Sequence, residues 1–355
     1  MLEMTPSATP PTHVLTIEGM MCQQSCGTTV ANALRAVPEA GGKRLAEYNG
    51  KEFAQRVWRI AFDAFGAGFA LKMSVKASVQ KHATATVFEY KGEGSNEVAL
   101  DESNLIWKSA LVCQRKFAPG KTMPKLKVVV DNPVPFGRGL GSSATAIVAG
   151  VVLANEFMDL GLTRSELLDA CLVIENHPDN LSAAIWGNGT VSVVASDGTS
   201  MTRIFKLSPA IKAVVVVPDF QVNTEKARQV LPKTYKTEDI VFNMQRCGLL
   251  PMCLGDTSPN FAMIRECMKD RLHQDQRCFL VPGLDEILAQ PHSPDRPQGL
   301  ISTALSGAGP TILALCTGNH QNIGKQMQAI LKSKNITSDV YVLPFDETGT
   351  PITWT

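Results

Sequence analysis

A glycine-rich loop between an apolar run and a small-residue segment constrains this chain more than any other feature. Residues 135–144 read Pro-Phe-Gly-Arg-Gly-Leu-Gly-Ser-Ser-Ala and follow the apolar run at 126–130. The pattern predicts a strand, a tight loop and a helix, because glycine adopts positive φ at little cost. Backbone N–H groups at a helix start, together with the helix dipole, attract anions such as phosphate. The sequence therefore predicts a phosphate site here.

The loop fits neither of the two common nucleotide-binding patterns. Its glycines are not followed by Gly-Lys-Ser/Thr, which a P-loop would need. Residues 139–144 match only the weaker form of the dinucleotide fingerprint, and no acidic residue follows about 20 positions on in a second strand. A glycine-rich hairpin or surface loop is the alternative. The paired Ser142 and Ser143, with a long small-residue helix behind them, favour phosphate.

Composition is typical of a globular protein. The 355 residues suffice for two ordinary domains or one large one, with 44% hydrophobic and 19% charged residues. A net charge of +1 gives no reason to expect a nucleic-acid partner, and no apolar run is long enough to span a membrane. The nine cysteines lie mostly in apolar contexts, as in a reducing compartment. The Pro/Thr/Ser-rich start lacks a hydrophobic signal core, so we expect a disordered tail over 1–13 and a cytoplasmic protein.

Hydrophobic periodicity predicts an α+β chain in two parts. Alternation between Phe69 and Tyr90 favours antiparallel strands, and Thr163 is a candidate helix cap. A polar link near 197–208 separates the two parts. The remaining predicted helices are at 103–117, 145–160, 164–175, 224–230, 236–250, 259–270, 283–289 and 319–333, and the strands at 189–195, 211–217, 300–305, 311–316 and 339–343.

The segment at 175–180 gathers a carboxylate, an imidazole and amides at a predicted helix start. It reads Glu-Asn-His-Pro-Asp-Asn. These groups suit contacts to a metal, a hydroxyl or a phosphate, and Asp179 or Asn180 would cap the helix. An ordinary capping loop is the alternative.

Three further clusters offer basic or small residues. Thr224 and Arg228 are four apart on one helix face, where an arginine can clamp a carboxylate or a phosphate in bidentate fashion. The segment 271–277 is basic, and solvated surface charge is the alternative for both. The small residues at 306–311 permit close approach, either to a ligand or to the glycine loop, and a tight turn is the alternative.

Together these clusters resemble the GHMP kinase family, from about Phe62 to the C terminus. The combination of His-Pro-Asp-Asn with Thr-x-x-x-Arg is similar to the branch that phosphorylates homoserine, particularly the fungal and other eukaryotic type. The resemblance implies an α+β fold of two domains: a ribosomal protein S5 domain 2-like domain at 61–205 and a ferredoxin-like α/β-sandwich domain at 206–355. It implies transfer of the γ-phosphoryl of ATP to L-homoserine in threonine biosynthesis. Another GHMP kinase, acting on a different small alcohol, is the alternative.

The resemblance also implies a role for each cluster. Asn180, Glu175 and Arg228 would be catalytic, with Asn180 standing where related kinases carry an aspartate base. Mg²⁺ would be held by Ser143 and Glu175, with Asp169 as the alternative ligand. The residues implied for ATP are Asn104, Pro135, Gly137, Arg138, Gly139, Leu140, Gly141, Ser142, Ser143 and Ala144. Those implied for homoserine are Asp63, His177, Asn180, Thr224, Arg228, Arg277, Gly307 and Gly309, with both arginines on its carboxylate. The partners expected are these small molecules and a second copy in a homodimer.

The segment 14–60 departs from the family pattern. Val57 stands where the family carries an asparagine that contacts the substrate, and a valine cannot form that hydrogen bond. Instead, the region around Cys22 and Cys26 resembles the start of a heavy-metal-associated domain, with a Cys-x₃-Cys spacing. Two thiolates suit a soft ion such as Cu(I). A catalytically impaired, kinase-derived protein with a metal-binding N-terminus is therefore a further alternative.

Overall fold

The computed structural model describes residues 13–18, 67–82, 84–350 and 352–354 and confirms an α+β chain. The strands are β1 (His13–Glu18), β2 (Ala67–Phe69), β3 (Ser74–Lys81), β4 (Val87–Gly92), β5 (Leu126–Asn132), β6 (Gly189–Val194), β7 (Ser200–Phe205), β8 (Lys212–Pro218), β9 (Leu300–Leu305), β10 (Ile312–Cys316), β11 (Ser338–Leu343) and β12 (Ile352–Trp354).

The helices lie between groups of strands in both halves. They are α1 (Leu105–Phe117), α2 (Ser142–Phe157), α3 (Arg164–Leu172), α4 (Pro178–Trp186), α5 (Thr224–Gln229), α6 (Thr237–Gly255), α7 (Phe261–Cys267), α8 (Gln274–Arg277), α9 (Leu284–Ala289) and α10 (His320–Ser333), with 3₁₀ turns at Cys278–Leu280 and Gln290–His292. The predicted cap at Thr163 is confirmed, because its hydroxyl accepts from the Glu166 N–H while the Glu166 carboxylate reaches back. None of the described helices is long and apolar enough to cross a membrane.

The first sheet has the order β12–β1–β3–β5–β4. β3 is antiparallel to both β1 and β5, whereas β4 runs parallel to β5. β3 and β4 therefore run in opposite directions, as predicted, but they do not pair with each other, because β5 lies between them and the chain reaches it from β4 through α1. Helices α1 and α2 pack closely: a Cβ at Gly150 would lie 2.1 Å from the Ile106 carbonyl oxygen.

A small second sheet has the order β2–β6–β7. The predicted polar link at 197–208 was wrong in part, because Ser200–Phe205 forms β7 and pairs antiparallel with β6. Met201 and Ile204 are about half exposed at this edge, so β7 lacks the apolar alternation of a strand that faces a core.

The third sheet has the order β11–β8–β10–β9 and is antiparallel throughout. Along β8, Val214 and Val216 pack into a core with α10, while Val215 and Val217 pack into the core of the first half. Burial on both faces explains the uninterrupted apolar run at 213–217. The core of the first half therefore extends onto one face of β8, while a second core lies on its other face.

The C-terminal segment returns to the first half. β12 pairs antiparallel with β1, and Leu71 forms an isolated bridge with Phe345. With the predicted boundary at 205/206, residues near the C terminus belong to the second domain. They nevertheless pair with residues of the first half of the chain. The numerical domain bounds stay a prediction.

Candidate active site

The glycine loop has the backbone that its sequence predicts. Gly137, Gly139 and Gly141 have φ of 67°, 87° and 75°, so each lies in the left-handed region. Gly141 is the N-cap of α2 and has no side chain with which to satisfy the first N–H groups. Ser142 and Ser143 are the first two helical residues, so the helix starts three residues before the predicted start. A helix start of this kind suits an anion.

The small-residue segment at 306–311 supports the glycine loop directly. The Ser306 hydroxyl donates to the Gly139 carbonyl oxygen at 2.5 Å, and a Cβ at Gly139 would lie 2.8 Å from the Ser306 carbonyl oxygen. The Thr311 N–H and hydroxyl both donate to the Arg138 carbonyl oxygen. The sequence left open whether this segment approaches a ligand or the glycine loop. The structure places it against the loop, and Gly307 and Gly309 as substrate ligands stay a prediction.

Arg138 reaches away from the loop to the second half of the chain. Its Nη2 lies 2.9 Å from Asp219 Oδ1, and its Nη1 donates to the Pro218 carbonyl oxygen at 3.3 Å. The guanidinium therefore contacts the end of β8, and the role of Arg138 in ATP binding stays a prediction.

Arg228 and His177 come together from α5 and the start of α4. Arg228 Nη2 lies 3.0 Å from His177 Nε2. A guanidinium only donates hydrogen bonds, so His177 Nε2 must accept, and the ring proton sits on Nδ1. Two predicted substrate residues, 51 positions apart, are thus in direct contact.

Arg277 is fully buried next to α5, the helix that carries Arg228. Its Nε donates to the Ala227 carbonyl oxygen and its Nη1 to the Gly307 carbonyl oxygen, each at 3.0 Å. The side chain joins α5 to the segment that supports the glycine loop. Surface charge was the wrong alternative for this arginine, while its role on a substrate carboxylate stays a prediction.

The start of α4 differs from the predicted cap. His177 is the N-cap, Pro178 follows at the first helical position, and Asp179 and Asn180 lie inside the first turn. Proline suits the first helical position because it has no N–H group that would be left without a partner. β2 passes close by, since a Cβ at Gly68 would lie 2.5 Å from the Asp179 carbonyl oxygen.

The two candidate magnesium ligands differ in their surroundings. Asp169 Oδ1 accepts from the Ser200 N–H at 2.8 Å and from its hydroxyl at 2.5 Å, so this carboxylate anchors β7. Glu175 lies half-buried in the turn between α3 and α4. Within the described ranges, no three His, Cys, Asp or Glu side chains lie together as a metal site.

Asn104 caps α1. Its Oδ1 accepts from the Ile106 N–H at 2.9 Å, its Nδ2 donates to the Ala99 carbonyl oxygen at 2.6 Å, and the residue is 4% exposed. A contact with adenosine would use the second N–H of Nδ2 or the second lone pair of Oδ1. The role of Asn104 in ATP binding stays a prediction.

Replacing Asn104 separates the two roles. Asn104→Ala should lower the free energy of unfolding by about 1–2 kcal/mol, whereas Asn104→Ser, which keeps a capping oxygen, should lose less. Urea unfolding measures this, and equal stability of all three proteins would contradict the cap. If the KM for ATP rises in both variants, Asn104 also contacts adenosine. If the KM for ATP is unchanged, Asn104 acts only as a helix cap.

Asp270 organises the segment that carries Arg277. Its carboxylate accepts from Asn243 Nδ2 at 2.6 Å, from the N–H groups of His273 and Gln274 at 2.8 and 2.7 Å, and from His273 Nδ1 at 2.9 Å. Gln274 Oε1 in turn accepts from the Leu305 N–H. Burial alone would raise the pKa of Asp270, but the charge of His273 and these hydrogen bonds lower the pKa well below its usual range.

The lowered pKa predicts acid-sensitive stability. The contribution of the Asp270 carboxylate is present above the unfolded-state pKa of about 4 and is lost as the pH falls from there towards the folded-state value. Asp270→Asn should therefore destabilise the protein by about 2 kcal/mol at pH 7, with a difference that shrinks below about pH 4. Urea unfolding across pH 3–7 tests this, with the exposed Asp295→Asn as the matched control. A difference that stays constant down to pH 3 would contradict it.

Some sequence-predicted residues lie outside the described ranges. These are Asp63, Cys22 and Cys26, together with Val57. Thr224 begins α5, as its predicted helix requires. Sequence reasoning gave no role to Asp219 or Asn243. A carboxylate directly after the apolar run of β8 was the available signal for Asp219, but nothing in the sequence pairs it with Arg138.

The chain is similar to known proteins in both sequence and fold. Residues 104–188, which include the glycine loop and α4, match the family described as "GHMP kinases N terminal domain". A homoserine kinase of Schizosaccharomyces pombe is 37% identical over 309 residues, covering 79% of this chain and 91% of the relative. One from Candida albicans is 34% identical over 336 residues, covering 82% and 93%. The crystal structure of homoserine kinase from Cytophaga hutchinsonii matches with a TM-score of 0.72 at 21% identity, covering 99% of this chain and 100% of that one, which is a likeness of fold.

Proposed function

The chain belongs to the homoserine kinase family of GHMP kinases, and on that premise we propose that it transfers the γ-phosphoryl of ATP to the hydroxyl of L-homoserine, giving O-phospho-L-homoserine for threonine biosynthesis. The observation that carries the proposal is the glycine loop at the head of α2, where three glycines of positive φ present a helix start. ATP is the substrate that such a loop suits in this family.

The phosphate side of the site is a rigid surface of backbone donors. The N–H groups at the start of α2 donate hydrogen bonds to the phosphate oxygens. Hydrogen bonds from Ser306 and Thr311 to carbonyl oxygens of the loop hold it in place. Because these donors are already in place, little reorganisation is needed when charge develops on the transferring phosphoryl. Ser142 or Ser143 contacts the β-phosphate in this proposal.

The substrate side is built around the contact of His177 with Arg228. By accepting from Nη2, His177 fixes the plane of the guanidinium, and a guanidinium fixed in this way can bind a carboxylate in bidentate fashion. Arg277 sets the position of α5 and contributes to the same carboxylate site. Asp63, four residues before β2, and Asn180 would contact the rest of the amino acid.

The donor set fits Mg²⁺. A hydroxyl from Ser143 and a carboxylate from Glu175 are hard oxygen ligands, and this ion takes one or two protein oxygens beside the phosphates of its nucleotide. Asp169, whose carboxylate accepts hydrogen bonds from Ser200, is the alternative ligand. When bound, the ion would neutralise charge on the phosphoryl group. Asn180 orients the substrate hydroxyl, whose proton passes to an oxygen of the γ-phosphate.

A coupled assay for ADP release tests the proposal. The protein is incubated with ATP, Mg²⁺ and one of homoserine, mevalonate or shikimate. Turnover with homoserine alone is the expected result, and turnover with another alcohol would favour a different GHMP kinase. No turnover with any substrate, together with stoichiometric Cu(I) binding that Cys22→Ser abolishes, would support the impaired, metal-binding alternative. Val57 is the sequence feature that favours this alternative.

The homodimer and the cytoplasmic location belong to the same proposal. Met201, Met244 and Met252 are each more than half exposed, which makes them candidates for an interface between two copies. Sedimentation equilibrium measures the oligomeric state, and imaging of the tagged protein in cells shows its location.

A further inference from the structure

We propose that Arg138 is a positioning residue that holds the phosphate loop in its ATP-binding form by contacting Asp219 and the Pro218 carbonyl group. This inference rests on the proposed function, since it concerns the same ATP site. It gives the arginine a role other than binding phosphate and makes the second half of the chain part of the loop's support.

Both the backbone and the side chain of Arg138 contact residues in the second half of the chain. Its carbonyl oxygen accepts from the Thr311 N–H at 3.2 Å, and its guanidinium contacts Asp219 Oδ1 at 2.9 Å and the Pro218 carbonyl oxygen at 3.3 Å. The side chain of Arg138 is 22% exposed and that of Asp219 is 64% exposed, so only the arginine side of the ion pair is shielded from water. A residue between two positive-φ glycines is thereby fixed at its backbone and at the end of its side chain.

Asp219 is a rigid anchor for this contact. It directly follows β8, a central strand of the third sheet, and its N–H donates to the Thr337 carbonyl oxygen at 2.8 Å. Nearby, Gln221 Nε2 donates to Glu97 Oε2 at 3.0 Å, which also joins the end of β8 to the first half. The ion pair therefore ties the glycine loop to the end of a central strand, which lowers the conformational cost of ordering the loop when ATP binds.

The sign of the Asp219 effect distinguishes this role from direct phosphate binding. If Arg138 bound phosphate itself, Asp219 would only compete for its charge. Removing that carboxylate would then leave the affinity for anionic ATP unchanged or improve it. If Arg138 positions the loop, the same removal weakens ATP binding.

The experiment compares wild type, Asp219→Asn, Arg138→Met and the double variant. We expect Asp219→Asn to raise the KM for ATP about threefold and Arg138→Met to raise it about tenfold, with the KM for homoserine unchanged. In the Arg138→Met background, Asp219→Asn should give no further increase, because the pair acts as one unit. Hydrogen exchange of the peptide covering residues 135–145 should be faster in Asp219→Asn at an unchanged melting temperature.

Binding of a non-hydrolysable ATP analogue with Mg²⁺, followed by calorimetry, separates the two levels of the proposal. Failure of the wild-type protein to bind the analogue would overturn the ATP site itself. Binding by wild type and by Asp219→Asn with equal affinity would overturn only the positioning role, as would a lower KM for ATP in Asp219→Asn. Glu286→Gln, which removes a surface ion pair with Lys334 away from the loop, is the matched control and should leave ATP binding unchanged.

Discussion

Arg228→Ala should raise the KM for homoserine about 100-fold while changing the KM for ATP less than about twofold. Arg228 donates to His177 Nε2 at 3.0 Å, so its guanidinium is held in one plane beside the start of α4. A bidentate pair with the substrate carboxylate comprises two charge-assisted hydrogen bonds, and the alanine removes both. The contact with His177 lies on the substrate side of the site, away from the phosphate loop, so ATP binding should be spared.

Steady-state kinetics with each substrate varied in turn measures the split. Arg228→Lys should fall between wild type and alanine, because an ammonium keeps the charge but not the planar pair of donors. Arg164→Ala, at the exposed start of α3, removes an equal charge and should leave both KM values unchanged. Equal increases in both KM values for Arg228→Ala would contradict the carboxylate clamp.

Features set by neighbours in sequence could be predicted from the sequence alone. The three positive-φ glycines, the capping box at Thr163 and the doubly buried β8 each follow from a few adjacent residues. The parallel direction of β4 was also accessible, because a helix was predicted between it and the next strand, and that connection permits a parallel pair.

Contacts between distant segments could not be predicted in this way. Ser306 and Gly139 are 167 positions apart, and their hydrogen bond depends on how the two halves share a core. Arg138 shows the consequence: its place in a phosphate-loop motif predicts a phosphate ligand, while the tertiary fold supplies Asp219 as its partner. Asp169 is similar, because its partner Ser200 begins a strand that lacks a sequence signal.

Gly139→Ala should lower kcat/KM for ATP about 100-fold or more, since a displacement of about 1 Å in a site of this kind can cost that much. The added Cβ would lie 2.8 Å from the Ser306 carbonyl oxygen and 2.9 Å from the Gly309 carbonyl oxygen. Both are backbone atoms, so the loop has to move away from its support. That movement displaces the N–H groups that donate to phosphate. It also breaks the hydrogen bond from the Ser306 hydroxyl to the Gly139 carbonyl oxygen.

Backbone strain alone does not account for this effect, and a second glycine tests the distinction. Gly198 has φ of 85°, close to the 87° of Gly139, but a Cβ there meets no atom within 4 Å. Gly198→Ala therefore incurs the same left-handed penalty, about 1–2 kcal/mol, without the clash. Thermal unfolding should show a loss of stability in both variants, and ATP-dependent kinetics should show a large loss only in Gly139→Ala. Equal activity of the two variants would mean that contact with the 306–311 segment does not set the geometry of the phosphate loop.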